Sequence, residues 1–190
     1  MILSCTLDTP LGKMQAAAKD SKLCGLWFIG QKHFPQNTDK WLMQADYPVF
    51  ISLKTWIDCY FSKLKNKPEH LKELEAHIPL SPAGTDFQQT VWKLLCKIPY
   101  GATCTYGDIA KKLVSLQGNK KRKTGNETQL TNLSSPGIYS RAVASAIGRN
   151  PVSLIIPCHR VIGADGKLHG YAGGIERKQA LLELESGAAT

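Results

Sequence analysis

Pro79, Pro82 and Gly84 fall within one short stretch, Ile78-Pro79-Leu80-Ser81-Pro82-Ala83-Gly84. Proline has no backbone donor and clashes with the preceding helical turn, while glycine loses much conformational entropy when held in a regular element. No helix or strand is expected to run through such a segment, so it divides the chain. We read residues 1–80 as an N-terminal α/β structural domain and 81–190 as a second, mainly helical domain, an α+β protein as a whole. At 190 residues the chain supports one substantial core or two small ones.

Before the break, residues 11–18 and 23–29 are β-compatible apolar runs joined by the polar Lys19-Asp20-Ser21-Lys22, which predicts a hairpin. Val49, Leu53, Trp56, Ile57, Tyr60, Phe61 and Leu64 recur at helical spacing, predicting an amphipathic helix over 49–64 whose aromatics belong to the core. After the break, Thr85-Asp86-Phe87-Gln88 is a capping box opening a helix that Pro99-Tyr100-Gly101 ends. A second capped start lies at Thr105 with Asp108 three residues on. A third helix is expected over 139–147, closed by Gly148 in the left-handed conformation. Its small residues Ala142, Ala144, Ser145 and Ala146 allow close backbone approach, and Arg141 stands at its start. Helix, connection, small-residue helix is the outline of a helix-turn-helix, although ordinary helix pairs share it.

The net charge of +9 is uneven: residues 1–80 carry +2 and residues 81–190 carry +7, with every arginine in the second part. A basic half suits phosphate contact, and a merely soluble basic protein would look the same. Between the helices lies a polar segment, 118–137, containing Lys120-Lys121-Arg122-Lys123. It is far longer than an ordinary helix–helix connection and reads as a mobile loop with incidental attraction for DNA. The six cysteines include no C-x-x-C pair and read as reduced thiols. Cys5, Cys24 and His33 match no standard zinc spacing, so no metal is expected. MILSCTLDTPLGK holds no basic-then-apolar leader and no window reaches a membrane span, which predicts an intracellular, unanchored protein.

The chemistry concentrates in IIPCHRVIG, residues 155–163. Cys158 is the candidate nucleophile, because a thiolate is the reactive form and a nearby His or cation favours it. Adjacent side chains in an extended segment point to opposite faces, so Cys158 and His159 need a turn or a bridging water to share a site. A base also needs a third group to hold its tautomer, and Glu185 at the end of IERKQALLELE could fold back to supply it. The plain alternative is a core thiol beside a structural histidine. Gly170-Tyr171-Ala172-Gly173-Gly174 favours the pocket, since clustered glycines permit close backbone approach and N–H donors.

IPCHRVIG, GYAGG and a helix ending in Glu185 together resemble the O6-alkylguanine-DNA alkyltransferase family, whose members are methylated-DNA–protein-cysteine methyltransferases. FQQTVWKLLCKIPYGATCTYGDIA (87–110) and SRAVASAIGRNP (140–151) extend the likeness over most of 85–185, and LDTPLGKM (7–14) matches more loosely. The resemblance implies a ribonuclease-H-like N-terminal domain and a winged-helix-like, helix-turn-helix DNA-binding domain. It makes Cys158 the alkyl acceptor, His159 the group that takes its proton through water, Glu185 the acid that orients His159, and Asn150 the link from the helix-turn-helix to the site. Tyr106 would promote nucleotide rotation and bond the guanine, Val161 and Cys158 would offer carbonyls to its amino group, and Tyr171 and Ala172 would form the pocket wall. Ala172 stands where some members have serine, which backbone bonding tolerates. Arg141 would replace the extruded base, with Ala142, Ser145 and Arg149 also on the DNA.

The implied function is DNA repair by direct reversal, in which an alkyl group from O6-alkylguanine, and also O4-alkylthymine, passes irreversibly to Cys158. One group is taken per chain, with no cofactor, by a monomer acting on double-stranded DNA without a membrane, in the cytoplasm or, in a eukaryote, the nucleus. A non-catalytic binder of alkylated DNA is the alternative, which Cys158 disfavours. A transcription-activating relative would need a further cysteine-rich domain, and a cysteine hydrolase would turn over repeatedly. Deleting residues 119–134 should leave alkyl transfer intact and weaken DNA affinity at low salt. Titrations of affinity against salt check this, and an unchanged affinity and slope would reject a phosphate-gripping role for the segment.

Overall fold

A four-stranded mixed sheet and a helical second part share one apolar core in the computed structural model, which describes residues 1–62, 67–124 and 136–187. Strands β1 (Leu3–Leu7), β2 (Met14–Lys19), β3 (Lys22–Phe28) and β4 (Leu42–Met43) lie in the order β3-β2-β1-β4. The first three are antiparallel neighbours and β4 pairs parallel with β1. The expected hairpin is β2–β3, and both central residues of its turn, Asp20 (φ 51°) and Ser21 (φ 59°), are left-handed. That geometry matches the twist of the flanking strands.

Helix α1 (Pro48–Phe61) opens with proline, whose missing donor is harmless there, and buries Val49, Phe50, Leu53, Trp56, Ile57 and Tyr60 on the sheet. It stops short of the expected Leu64 because Ser62 turns its hydroxyl back to the Cys59 carbonyl at 2.7 Å; residues 63–66 lie outside the described residues. Strand β1 and helix α2 (Lys67–Glu75) were not apparent from the sequence pattern. Helix α2 buries only Lys67 and Leu71, so it has no apolar period to detect.

In the second part, α3 (Asp86–Leu95) starts at the expected capping box. Gln88 N–H donates to Thr85 Oγ1 at 3.3 Å and Thr85 N–H to Gln88 Oε1 at 2.9 Å. The Thr105–Asp108 cap is also formed, with bonds of 3.0 Å and 3.1 Å, and launches α4 (Tyr106–Thr124). Helix α5 (Pro136–Gly148) packs on α3 and α4, and Trp92 Nε1 donates to the Ala146 carbonyl at 2.9 Å. A two-stranded parallel sheet of β5 (Cys104–Thr105) and β6 (Val161–Ile162) flanks these helices, and α6 (Ile175–Ser186) closes the chain.

Two expectations fail here. Gly148 does not adopt the left-handed conformation. Helical bonding continues past it, from Arg149 N–H to the Ser145 carbonyl at 3.1 Å, so no reversal is needed there. The segment 118–137 is not wholly a loop either: α4 runs on through 118–124 and α5 begins at Pro136. Lysine and arginine are good helix formers, which favours extending α4 through the basic run. Residues 125–135 lie outside the described residues.

The two parts are stitched along the outer edge of β3. Leu26 N–H donates to Pro151 O and Ser153 N–H to Leu26 O, each at 2.8 Å. Leu23 makes an equivalent pair with Pro79 and Ser81. The bonds cover an edge that would otherwise be open to a foreign strand, and they anchor the segment leading to Cys158. Replacing the exposed cap in Thr85→Ala should lower unfolding stability by about 1 kcal/mol, as N-cap losses generally do. Urea denaturation checks this; an unchanged midpoint would show that α3 does not depend on its cap.

Candidate active site

Cys158, His159 and Arg160 form a single tight helical turn rather than a strand. Successive residues of such a turn fan out at roughly 120°, so the three side chains diverge into separate surroundings. The turn thus gathers them into one site without placing Cys158 directly against His159.

Cys158 is buried, and Asn150 Nδ2 donates to its Sγ at 3.1 Å. The same amide donates to the Ile156 carbonyl at 2.7 Å, while Asn150 Oδ1 accepts from Val152 N–H at 3.0 Å. One side chain at the end of α5 therefore pins the loop that carries the thiol. Leu154 in that loop is held at φ 71°, a left-handed conformation that costs a branched residue strain and that burial enforces. Burial raises the Cys158 pKa above its ordinary value, opposed by the Asn150 bond and the nearby Lys178 ammonium. At neutral pH the group rests as a thiol.

His159 is fully buried, with Nε2 2.9 Å from Glu185 Oε1. Nδ1 is also buried and meets no protein partner among the described residues. Burial lowers the His159 pKa below 6.5, against the raising effect of Glu185. The ring is thus neutral at pH 7, with Nε2–H given to the carboxylate and Nδ1 free to accept a proton.

Glu185 accepts from His159, from Arg160 Nε (2.7 Å) and Nη2 (2.9 Å), from Tyr60 OH (2.6 Å) and from Gly101 N–H (3.2 Å). Burial alone would raise its pKa, but the bonds from His159 and Arg160, together with the Arg160 charge, bring it down to about 2. Arg160 Nη1 also donates to the Ile98 carbonyl at 2.7 Å. Gly101 is required at the end of α3: its φ is 75°, and a Cβ there would stand 2.9 Å from the Glu185 carbonyl oxygen.

A cleft of about 680 Å³ opens beside this cluster, lined by Tyr106, Arg141, Ser145, Arg149, Tyr171 and Ala172 among others. Arg141, Ser145 and Arg149 are exposed on or just after α5, whereas Ala142 is half-buried and does not line the cleft. Burial raises the phenol pKa of both Tyr106 and Tyr171. The Tyr106 hydroxyl lies 3.4 Å from the His169 carbonyl, and the Tyr171 ring meets His159 edge-on at 6.4 Å. The Cys158 carbonyl accepts from Val161 N–H and the Val161 carbonyl from Lys178 Nζ at 2.6 Å, each keeping a second lone pair for a ligand. Residues 32 and 33 of the sheet part also line the cleft, and Lys32 N–H donates to the Ala172 carbonyl at 2.9 Å.

Three members of the site escaped the sequence reading as to role. Helical spacing places Tyr60 in the core, and no spacing or motif gives Arg160 or Lys178 a role. Lys178 is 1% exposed, its ammonium held by the carbonyls of Val161 and His169. Nothing local marks it, since Lys178 stands between Arg177 and Gln179 in a polar stretch of α6. Cys5, Cys24 and His33 form no group able to hold a metal among the described residues. All six cysteines are free, with Cys5, Cys59 and Cys158 buried and Cys96 exposed.

Comparison with known proteins gives the same outline. A family model described as "6-O-methylguanine DNA methyltransferase, DNA binding domain" matches residues 86–187. One described as "6-O-methylguanine DNA methyltransferase, ribonuclease-like domain" matches residues 2–75. A methylated-DNA–protein-cysteine methyltransferase of Mycobacterium tuberculosis is 40% identical over 189 residues, covering 100% of this chain and 95% of the relative. A protein of the same name from Methanosarcina mazei is 36% identical over 180 residues, covering 94% of each. The crystal structure of Mycobacterium tuberculosis OGT in complex with DNA matches with a TM-score of 0.70 at 36% identity, covering 98% of this chain and 94% of that one. By both sequence and fold, this chain belongs to the 6-O-methylguanine DNA methyltransferase family.

Proposed function

We propose that this protein repairs DNA by direct reversal, moving the alkyl group of O6-alkylguanine, and of O4-alkylthymine, onto its own Cys158 as a methylated-DNA–protein-cysteine S-methyltransferase. The observation that carries this reading is a buried thiol, held by Asn150, next to a neutral histidine that a buried carboxylate orients. The division at 78–84 then separates a supporting domain, 1–80, from the domain that binds DNA and accepts the alkyl group, 81–190.

A base edge inside a duplex is out of reach, so the nucleotide must leave the stack at a cost of a few kcal/mol. Arg141 and Arg149, exposed beside the cleft, suit a strand's phosphates and the gap left by the extruded base. Ala142 and Ser145, on the same helix, allow α5 to approach the backbone. Within the cleft the Val161 and Cys158 carbonyls would accept from the guanine amino group, and backbone N–H at Ala172 would donate to O6. Tyr106 would donate to a ring nitrogen and Tyr171 would wall the alkyl group.

Cys158 then gives its proton, through a bridging water, to Nδ1 of His159, and Glu185 stabilises the imidazolium. Sulfur forms its bond to the alkyl carbon as the carbon–O6 bond breaks, and the electron pair stays with the leaving base. The hydrogen bonds at O6 and the ring nitrogen stabilise that charge. A thioether results, which nothing in the site can cleave, so each chain acts once and as a monomer, with no cofactor in the chemistry. No helix among the described residues is long and apolar enough to cross a membrane. A DNA substrate puts the work in the cytoplasm of a prokaryote or the nucleus of a eukaryote.

Incubation with duplex DNA carrying O6-methylguanine should add one methylene to the intact protein mass, confined to the Cys158 peptide and saturating at one equivalent. Tight binding without a mass change in freshly reduced protein would instead favour a non-catalytic binder. Transfer rates at limiting DNA should be flat across neutral pH. Because burial lowers the His159 pKa, the acid limb should fall below 6.5; because burial raises that of Cys158, the next transition should lie above 9. An acid limb centred above 6.5 would contradict a neutral, buried base.

A further inference from the structure

Tyr60 sits on α1, in the sheet part of the molecule, 125 residues before Glu185. Its ring is 0% exposed, stacked on Trp56 (5.1 Å, 19°) and met edge-on by Phe61 (5.1 Å) and Tyr100 (6.0 Å). A phenylalanine would satisfy all of that packing. The hydroxyl is what requires an account, because burying one is costly unless it is bonded. It donates to Glu185 Oε1 at 2.6 Å, the same oxygen that meets His159 Nε2 at 2.9 Å and Arg160 Nη2 at 2.9 Å, and it lies 3.5 Å from Nε2 itself.

We propose that Tyr60 is a positioning residue of the alkyl-transfer site: its hydroxyl orients the Glu185 carboxylate and shares its charge, so that the first domain takes part in readying His159. This inference rests on the function proposed above. A carboxylate oxygen that already accepts from a phenol offers less negative charge to the imidazole beside it. His159 is therefore held in one tautomer without being drawn into the imidazolium state before Cys158 gives up its proton. The other groups that face this carboxylate are Arg160 on the tight turn, the Gly101 N–H and the Tyr100 phenol after α3, Lys67 on α2 and the Tyr171 phenol before α6. None of them supplies a neutral hydroxyl to Oε1, and all stay in place when the Tyr60 hydroxyl is removed.

The sign of the effect follows. In Tyr60→Phe the carboxylate turns more of its charge toward His159, the imidazolium is favoured, and less neutral base remains as pH falls. The acid limb of the transfer rate should move up by about half a unit to one unit, so the rate deficit grows to about three- to tenfold at the acid end and nearly vanishes at pH 8. Single-turnover rates from pH 5 to 9, with O6-methylguanine duplex and Cys158 peptide mapping, read this for wild type, Tyr60→Phe and Trp56→Phe. Trp56→Phe disturbs the ring packing but not the hydroxyl, and should leave the limb where it is.

An unshifted limb in Tyr60→Phe, or a loss equal at every pH, overturns the proposal. So does an equal shift in Trp56→Phe, which would make packing the cause. If Tyr60→Phe does not fold, 3-fluorotyrosine installed at position 60 keeps the shape and donates more strongly. It should move the limb down, and no movement overturns the proposal. Wild-type protein that leaves Cys158 unmodified at every pH would instead remove the transfer reaction itself, a result distinct from any of these.

Discussion

Three separate stretches of chain meet on a carboxylate carried by a fourth. Glu185 on α6 accepts hydrogen bonds from Tyr60 of α1, Gly101 after α3, and His159 and Arg160 of the tight turn. An isolated charge at that depth would be untenable; with every donor present it is a fixed hub. Removing a partner from such a hub typically costs about 3–5 kcal/mol, because the remaining charge is left exposed to an apolar interior. The position of the helix end, the close of α3 and the orientation of the histidine thus all depend on one buried anion.

The nucleophile is organised differently. Asn150 is neutral, and it holds Cys158 through a loop whose two ends are tied down elsewhere. At one end Leu26 of β3 pairs with Pro151 and Ser153, and at the other β6 pairs with β5. Strain at Leu154 is tolerated because both flanks are anchored. A charged hub for the histidine and a neutral clamp for the thiol suit the roles proposed for them: a base has to carry a positive charge in passing, while a thiol of this kind has to stay unionised until substrate arrives. The sheet part contributes to both, through Tyr60 to the hub and through the edge of β3 to the clamp.

Capping boxes were legible because their bonds are local. Thr85 with Gln88, and Thr105 with Asp108, need only three residues of separation and formed as read. The hairpin and α1 followed from apolar period. The helix-turn-helix came through as an outline, and the resemblance of IPCHRVIG and GYAGG supplied the chemistry that spacing left undecided. Helix α2 was invisible because it buries almost nothing apolar. The full extent of α4 and α5 does not show in the pattern because a polar composition resembles a loop, although lysine and arginine are good helix formers.

Local order therefore belongs to the sequence: which segments are helix or strand, where most of them start, and which thiol stands beside a histidine. Those properties depend on neighbours within one or two turns. The meeting of Tyr60, Gly101, Arg160 and Glu185 does not, since their separations exceed any local period and each residue alone suits an ordinary core or surface position. Only packing of the two parts along β3 and α1 removes that carboxylate and His159 from water, and that burial keeps the imidazole neutral. A buried charge has to be satisfied by whatever the fold brings to it, and that is a tertiary fact.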